Sequence, residues 1–114
     1  MTLTFLTLPI STNQLYRVFQ NRSILSARGR SNKDAIAWEA RAQHRGKPLA
    51  GPLAVEISLF WPDRRKHDID NLKALLDACT GILWDDDGQI ADLHTMKEYD
   101  KANPRVEMRV WELS

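Results

Sequence analysis

Residues 53–88 read LAVEISLFWPDRRKHDIDNLKALLDACTGILWDDDG. Leu53, Val55, Ile57, Leu59 and Trp61 alternate with Ala54, Glu56, Ser58 and Phe60, the period of a strand whose two faces differ. Pro62 ends that strand, because proline lacks the N–H a ladder needs. A basic run follows (Arg64, Arg65, Lys66), and then Asp68, Asp70 and Asn71. Leu72, Leu75, Leu76 and Cys79 recur at i, i+3, i+4 and i+7, so they mark the apolar stripe of a short helix that Gly81 terminates. Three successive aspartates, Asp85, Asp86 and Asp87, close the stretch. A strand, a helix and two acidic groups beside a basic run are the parts of a metal-dependent phosphodiesterase. Carboxylates hold a hard cation such as Mg2+, and neighbouring cations hold a polyanion.

Towards the N-terminus, Thr2 to Leu8 alternates in part, with Leu3, Phe5 and Thr7 on one face. It reads as a strand ending at Pro9. Ser11-Thr12-Asn13 is a turn cluster. Gln14 to Gln20 contains Leu15, Tyr16, Val18 and Phe19 without a clear period. Asn21 and Arg22 read as a turn, Ser23 to Ala27 as a short strand, and Arg28-Gly29-Arg30 as exposed. The spacing predicts a helix from Ser31, with Ser31 and Asp34 approximating a capping box. Ala35, Trp38 and Ala42 lie on its apolar stripe, with Ile36 and Ala40 beside them. Gly46 suits the C′ position and Pro48 bars continuation.

Towards the C-terminus, Gln89 to Met96 reads as a strand leaving the Asp87-Gly88 turn. Lys101 to Pro104 is a turn. Val106, Met108 and Val110 alternate with Glu107, Arg109 and Trp111. Residues 89–113 are therefore expected to form a β-hairpin. The whole predicts an α+β fold: one domain over residues 1–114, with a mixed sheet and two main helices.

Composition narrows the class. A chain 43% hydrophobic and 27% charged is globular rather than disordered. No apolar run approaches the roughly 20 residues of a membrane span. The N-terminus lacks the basic region of a signal peptide. Cys79 is the only cysteine and reads as a small buried hydrophobe. A cytoplasmic location is expected. The net charge of +1 hides a polarity. Residues 1–66 carry 11 Lys/Arg against 4 Asp/Glu, a net +7, and residues 67–114 carry 5 against 11, a net −6. Two readings stay open for it: a nucleic-acid partner, or halves that interleave into an ordinary mixed surface.

Asp68 and Asp70 share a face if that segment is extended, so both can reach one cation. Three adjacent aspartates repel one another, and a divalent cation turns that repulsion into affinity. For Asp85 a solvated turn suffices. A single return strand after the helix would bring Asp86 or Asp87 back beside Asp68 and Asp70. Lys73 lies four residues before Asp77, the spacing of a weak surface salt bridge. His67 reads as a polar loop residue. The basic run is expected to bind phosphate.

The text PDRRKHDIDNLKALLDA (Pro62 to Ala78), followed by WDDDGQI (Trp84 to Ile90), resembles the RusA family of Holliday junction resolvases. These are divalent-metal endonucleases that cut four-way DNA junctions. Weaker likeness covers LTLPISTNQLYR near the N-terminus and the strand ending at Lys97. The resemblance implies that Asp68, Asp70 and Asp87 bind the metal, with Asp86 adjacent, and that the metal is Mg2+, or Mn2+ in its place. It implies that Arg64, Arg65, Lys66 and Lys97 contact DNA, that the chain is a homodimer acting on a four-way junction, and that its source is bacterial or phage. Lys73 matches the family's helix lysine with a departure. DN-x-K stands where the family has DN-x-x-K, which turns the lysine by about 100° around a helix. A DNA-binding protein of the same fold with impaired cleavage is thus the alternative. A PD-(D/E)xK nuclease is rejected because its lysine sits on a strand, and a DxD sugar transferase because so short a chain shows no nucleotide-binding domain.

Overall fold

The strand Leu53–Trp61 forms over the expected residues and lies inside the sheet, flanked on both sides. The computed structural model describes residues 1–10, 16–19, 22–64 and 72–113, with backbone alone for 16–19 and 22–25. In chain order the elements are β1 (Thr2–Phe5), β2 (Tyr16–Phe19), β3 (Arg22–Leu25), α1 (Ala27–Gln43), β4 (Leu53–Trp61), α2 (Leu72–Cys79), β5 (Ile90–Tyr99) and β6 (Arg105–Glu112). A 3-10 turn, Asp87–Gln89, leads into β5. The main sheet has the order β1-β6-β4-β5, with β4 and β5 parallel and the other pairs antiparallel. The β2 and β3 strands form a separate antiparallel pair. This is the expected α+β class with a mixed sheet and two helices.

One face of the sheet carries the core. Phe5, Val106 and Leu59 lie in one cross-strand row, and Leu3, Met108 and Ile57 in the next. All six are at most 1% exposed. Ile36 and Ala40 of α1, Leu75, Ala78 and Cys79 of α2, and Leu83 and Trp84 after it close the other side of that core. The rows lose burial at β5, where Thr95 stands beside Ile57 and the exposed Lys97 beside Leu59.

Four sequence expectations are corrected. First, residues 89–113 are not a hairpin: β4 lies between β5 and β6. The 100–104 connection passes the end of β4, where the Asp100 N–H donates to the Trp61 carbonyl at 2.9 Å. The most apolar strand takes the interior position, where both its edges are paired. Second, α1 starts at Ala27, not Ser31. Ser26 is its N-cap and accepts from the Gly29 N–H at 2.9 Å, so Arg28-Gly29-Arg30 forms the first turn.

Third, α1 presents a different stripe. Gly29, Ile36 and Ala40 are buried, whereas Trp38 is 73% exposed and Ala42 is exposed too. Polar side chains decide this rotation. The Gln43 amide bonds both backbone groups of Thr4 at 2.8 Å. Glu39 accepts from the Leu6 and Thr7 N–H groups. Asn32 donates to the Leu8 carbonyl at 2.8 Å and accepts from the Ile10 N–H at 3.3 Å. Asn32, Ile36, Glu39, Ala40 and Gln43 fall on one side of a helix, so satisfying the outer edge of β1 and its extension turns Trp38 outward. Fourth, Gly46 lies beyond the C-cap residue His44 and is not the C′ residue. Smaller adjustments are the end of β1 at Phe5, short of Leu8, and the pairing of Arg22 with Phe19 within a ladder.

Candidate nucleic-acid and metal site

The parts of the predicted site divide between the two ends of the β4–β5 pair. At one end Leu53 pairs with Ile90, three residues after Asp87. At the other Trp61 pairs with Tyr99, and the chain passes through Asp63 and Arg64. Eight strand steps separate these ends by about 26 Å. The predicted residues Arg65, Lys66, His67, Asp68, Asp70 and Asn71 lie outside the described residues. Among the described residues no three of His, Cys, Asp and Glu gather as a metal site.

At the Trp61 end two of the predicted DNA contacts come together. Arg64 lies over the Tyr99 ring, 4.3 Å from its centroid. Lys97 is two residues from Tyr99 on the same side of β5. An exposed cation above a tyrosine, with a lysine beside it, is a surface that fits a phosphodiester chain. Tyr99 lies beyond both expected strand ends, Met96 from the residue pattern and Lys97 from the resemblance.

At the Leu53 end the three aspartates have different surroundings. Asp86 is the N-cap of the 3-10 turn, and its Oδ1 accepts from the Gly88 N–H at 2.8 Å. Gln89 completes a capping box: its Oε1 accepts from the N–H groups of Asp85 and Asp86, both at 3.0 Å. Its Nε2 donates to the carbonyls of Leu49 and Gly51, both at 3.0 Å. Both ends of one amide are thereby used. Gln89 ties the acidic turn to the segment entering β4 and holds Asp87 exposed on a fixed turn. Sequence reasoning missed this role, although Asp86-x-x-Gln89 is a capping-box spacing. An exposed carboxylate is a hard oxygen donor of the kind Mg2+ and Mn2+ take.

The helix between the acidic groups also behaves as an ordinary element. Lys73 Nζ is 3.6 Å from Asp77 Oδ2, the i,i+4 pair expected from the spacing. Cys79 is fully buried, and burial pushes its thiol up to about 12, so it is an inert core residue. The Trp84 indole N–H donates to Thr80 Oγ at 3.1 Å beneath the acidic turn.

With this geometry in place, comparison with known proteins decides the family. The endodeoxyribonuclease RusA family model matches residues 8–111. The chain belongs to the RusA endodeoxyribonuclease family. It is 35% identical over 107 residues to the crossover junction endodeoxyribonuclease RusA of Enterobacteria phage 82, covering 92% of this chain and 89% of that protein. The same identity and coverage relate it to the protein of that name from Escherichia coli strain K12, and 34% identity to the one from Shigella sonnei strain Ss046. Among the described residues no helix of this RusA family member is long and apolar enough to cross a membrane.

Proposed function

We propose that this chain is a Mg2+-dependent endodeoxyribonuclease that resolves four-way DNA junctions in recombination and repair. It acts as a homodimer in a bacterial cytoplasm, whether host- or phage-encoded. The observation that carries this reading is similarity along 92% of the chain to proteins named crossover junction endodeoxyribonucleases.

Asp68, Asp70 and Asp87 are the residues for the cation, with Asp86 adjacent. Mg2+, or Mn2+ in its place, supplies Lewis acidity toward the phosphodiester and toward water when bound. Arg64, Arg65, Lys66 and Lys97 hold the phosphate chain, and the Arg64–Tyr99 contact supports this role by biasing one cation toward the sheet surface. Gln89 keeps the Asp87 carboxylate on a rigid turn rather than a loose loop. A homodimer gives one catalytic set for each of the two strands cut.

The second reading, a junction-binding protein with impaired cleavage, draws on Lys73. Its contact with Asp77 fits a surface salt bridge as well as a catalytic lysine. One experiment separates the two: incubation with a synthetic four-way junction in Mg2+, and in EDTA. Paired nicks in Mg2+ alone support the nuclease. Binding without nicks in either Mg2+ or Mn2+ supports the second reading.

A further inference from the structure

The two edges of the main sheet are treated differently. The outer edge of β1 is closed by side chains of α1: Gln43 on Thr4 and Glu39 on Leu6. Strand β5 forms the other edge and is paired on one side only among the described residues. Eight of its ten residues are exposed. They include Leu93 at 41%, Met96 at 48% and Tyr99 at 43%. A ten-residue edge with three exposed large apolar side chains is a template for another strand.

The phase of that edge can be read. The Asp100 N–H points to Trp61 of β4. Backbone polar groups alternate sides along a strand, so even-numbered residues of β5 face β4. Leu93, Thr95, Lys97 and Tyr99 turn their N–H and C=O groups outward. The only register shift against β4 falls between Leu53 and Ala54, next to Ile90, which leaves Asp92 to Tyr99 regular.

Resting on the homodimer reading above, we propose that the dimer forms by antiparallel pairing of β5 with the β5 of a second copy, about a twofold axis through Met96. Such an axis is perpendicular to the sheet and keeps each side chain on its own face, so a residue can serve as the centre but a gap between residues cannot. Centring on Thr95 sets Asp92 against the partner's Glu98, and centring on Lys97 sets that lysine against its copy. Like charges directly opposite destabilise a pair. Centring on His94 sets that residue against its copy and gives Asp92 an apolar neighbour. Centring on Leu93 runs the pairing into the irregular start of β5.

Centring on Met96 sets Leu93 beside the partner's Tyr99 and His94 beside the partner's Glu98, and it sets Asp92 beside the partner's Asp100, whose charge Arg105 already balances at 2.9 Å. Thr95 then meets the partner's Lys97, and Met96 its own copy. The outward-facing residues become the hydrogen-bonded pairs, as the phase requires. The two four-stranded sheets join into one of eight, with all the core helices on one side.

The test uses the full chain with Met96→Cys. Positions across a non-hydrogen-bonded antiparallel pair lie within disulfide reach. The buried, unreactive Cys79 does not compete. Mild oxidation should convert most of the Met96→Cys chains to a reducible dimer, whereas His94→Cys alone should not crosslink. Thr95→Pro removes an outward N–H while leaving the β4 ladder intact. It should weaken the dimer by about 30-fold, since the twofold removes the same hydrogen bond from both copies. If Thr95→Pro fails to fold, the cysteine result decides by itself. A wild-type chain that is dimeric by light scattering, while Met96→Cys stays uncrosslinked, overturns this interface and leaves the homodimer standing. A monomeric wild type overturns both.

Discussion

The guanidinium carbon of Arg64 lies 4.3 Å from the centroid of the Tyr99 ring, joining the start of the basic run to the end of β5. A cation held over an aromatic face at an exposed site gains about 0.5–1 kcal/mol and gives up part of its mobility. Arg64 is therefore biased toward the sheet surface. From this follows an order of effects on DNA binding.

Tyr99→Ala should weaken four-way junction binding by about 2- to 5-fold, and Tyr99→Phe should leave it unchanged. Replacing Arg64, Arg65 and Lys66 together with alanine should weaken it further. It should also flatten the slope of log K against log salt by about 0.9 for each phosphate that is no longer neutralised. The measurement is a salt titration of junction binding without divalent metal, at concentrations where light scattering gives variant and wild type the same mass. An unchanged slope in the triple variant would assign these charges to solubility.

Gln89 gives a stability prediction with an internal contrast. Gln89→Ala removes four hydrogen bonds around the Asp85–Gln89 turn. The expected loss is about 1–3 kcal/mol in urea unfolding, because most of the stranded backbone groups gain some water. Gln89→Glu keeps the size but points carboxylate oxygens at the Leu49 and Gly51 carbonyls, and should be at least as damaging at neutral pH. Equal stability of Gln89→Glu and wild type would show that this amide holds nothing.

The three aspartates should separate by role. Asp87→Asn should reduce cleavage to the level of EDTA-treated wild type while junction binding survives, and Asp70→Asn should do the same. Asp85→Asn should cut at the wild-type rate. Asp86→Asn keeps a capping oxygen and should cost less cleavage than Asp87→Asn. Gel assays of cleavage and binding on one junction substrate check all four, and normal cutting by Asp87→Asn would remove it from the metal site.

The turn between β5 and β6 carries a pH signature. The Arg105 guanidinium donates to Asp100 at 2.9 Å, and the Asn103 N–H donates to the same carboxylate at 3.0 Å. Both bonds, that to Arg105 first, hold the Asp100 carboxyl below its ordinary value. A carboxyl depressed in the folded state contributes stability above its unfolded pKa of about 3.9. That contribution is lost as pH falls through the lower folded value. Thermal unfolding between neutral and acid pH should therefore show a shallower acid decline in Asp100→Asn. An identical decline in both proteins would place the acid sensitivity in other carboxylates.

Local periodicity was enough for β4, for α2 from Leu72 to Cys79 with Leu75 and Cys79 in the core, for the alternation of Val106, Met108 and Val110, and for the Lys73–Asp77 pair. Each rests on residues a few positions apart, whose faces follow from 2.0- and 3.6-residue repeats. The family was legible too, because its residues lie in two short runs, Pro62 to Ala78 and Trp84 to Ile90. What sequence could not decide were contacts between residues far apart in the chain. No pattern within 89–113 says that β4 lies between β5 and β6, since strand order depends on which edges meet in three dimensions. The stripe of α1 escapes periodicity because Trp38 is its largest apolar residue and yet faces outward. The helix is turned instead by Asn32, Glu39 and Gln43 bonding the backbone of residues 4–10, whose outward N–H and C=O groups no strand pairs among the described residues. Gln89 belongs to the same class: its fourfold role exists only where Leu49 and Gly51 return to the acidic turn.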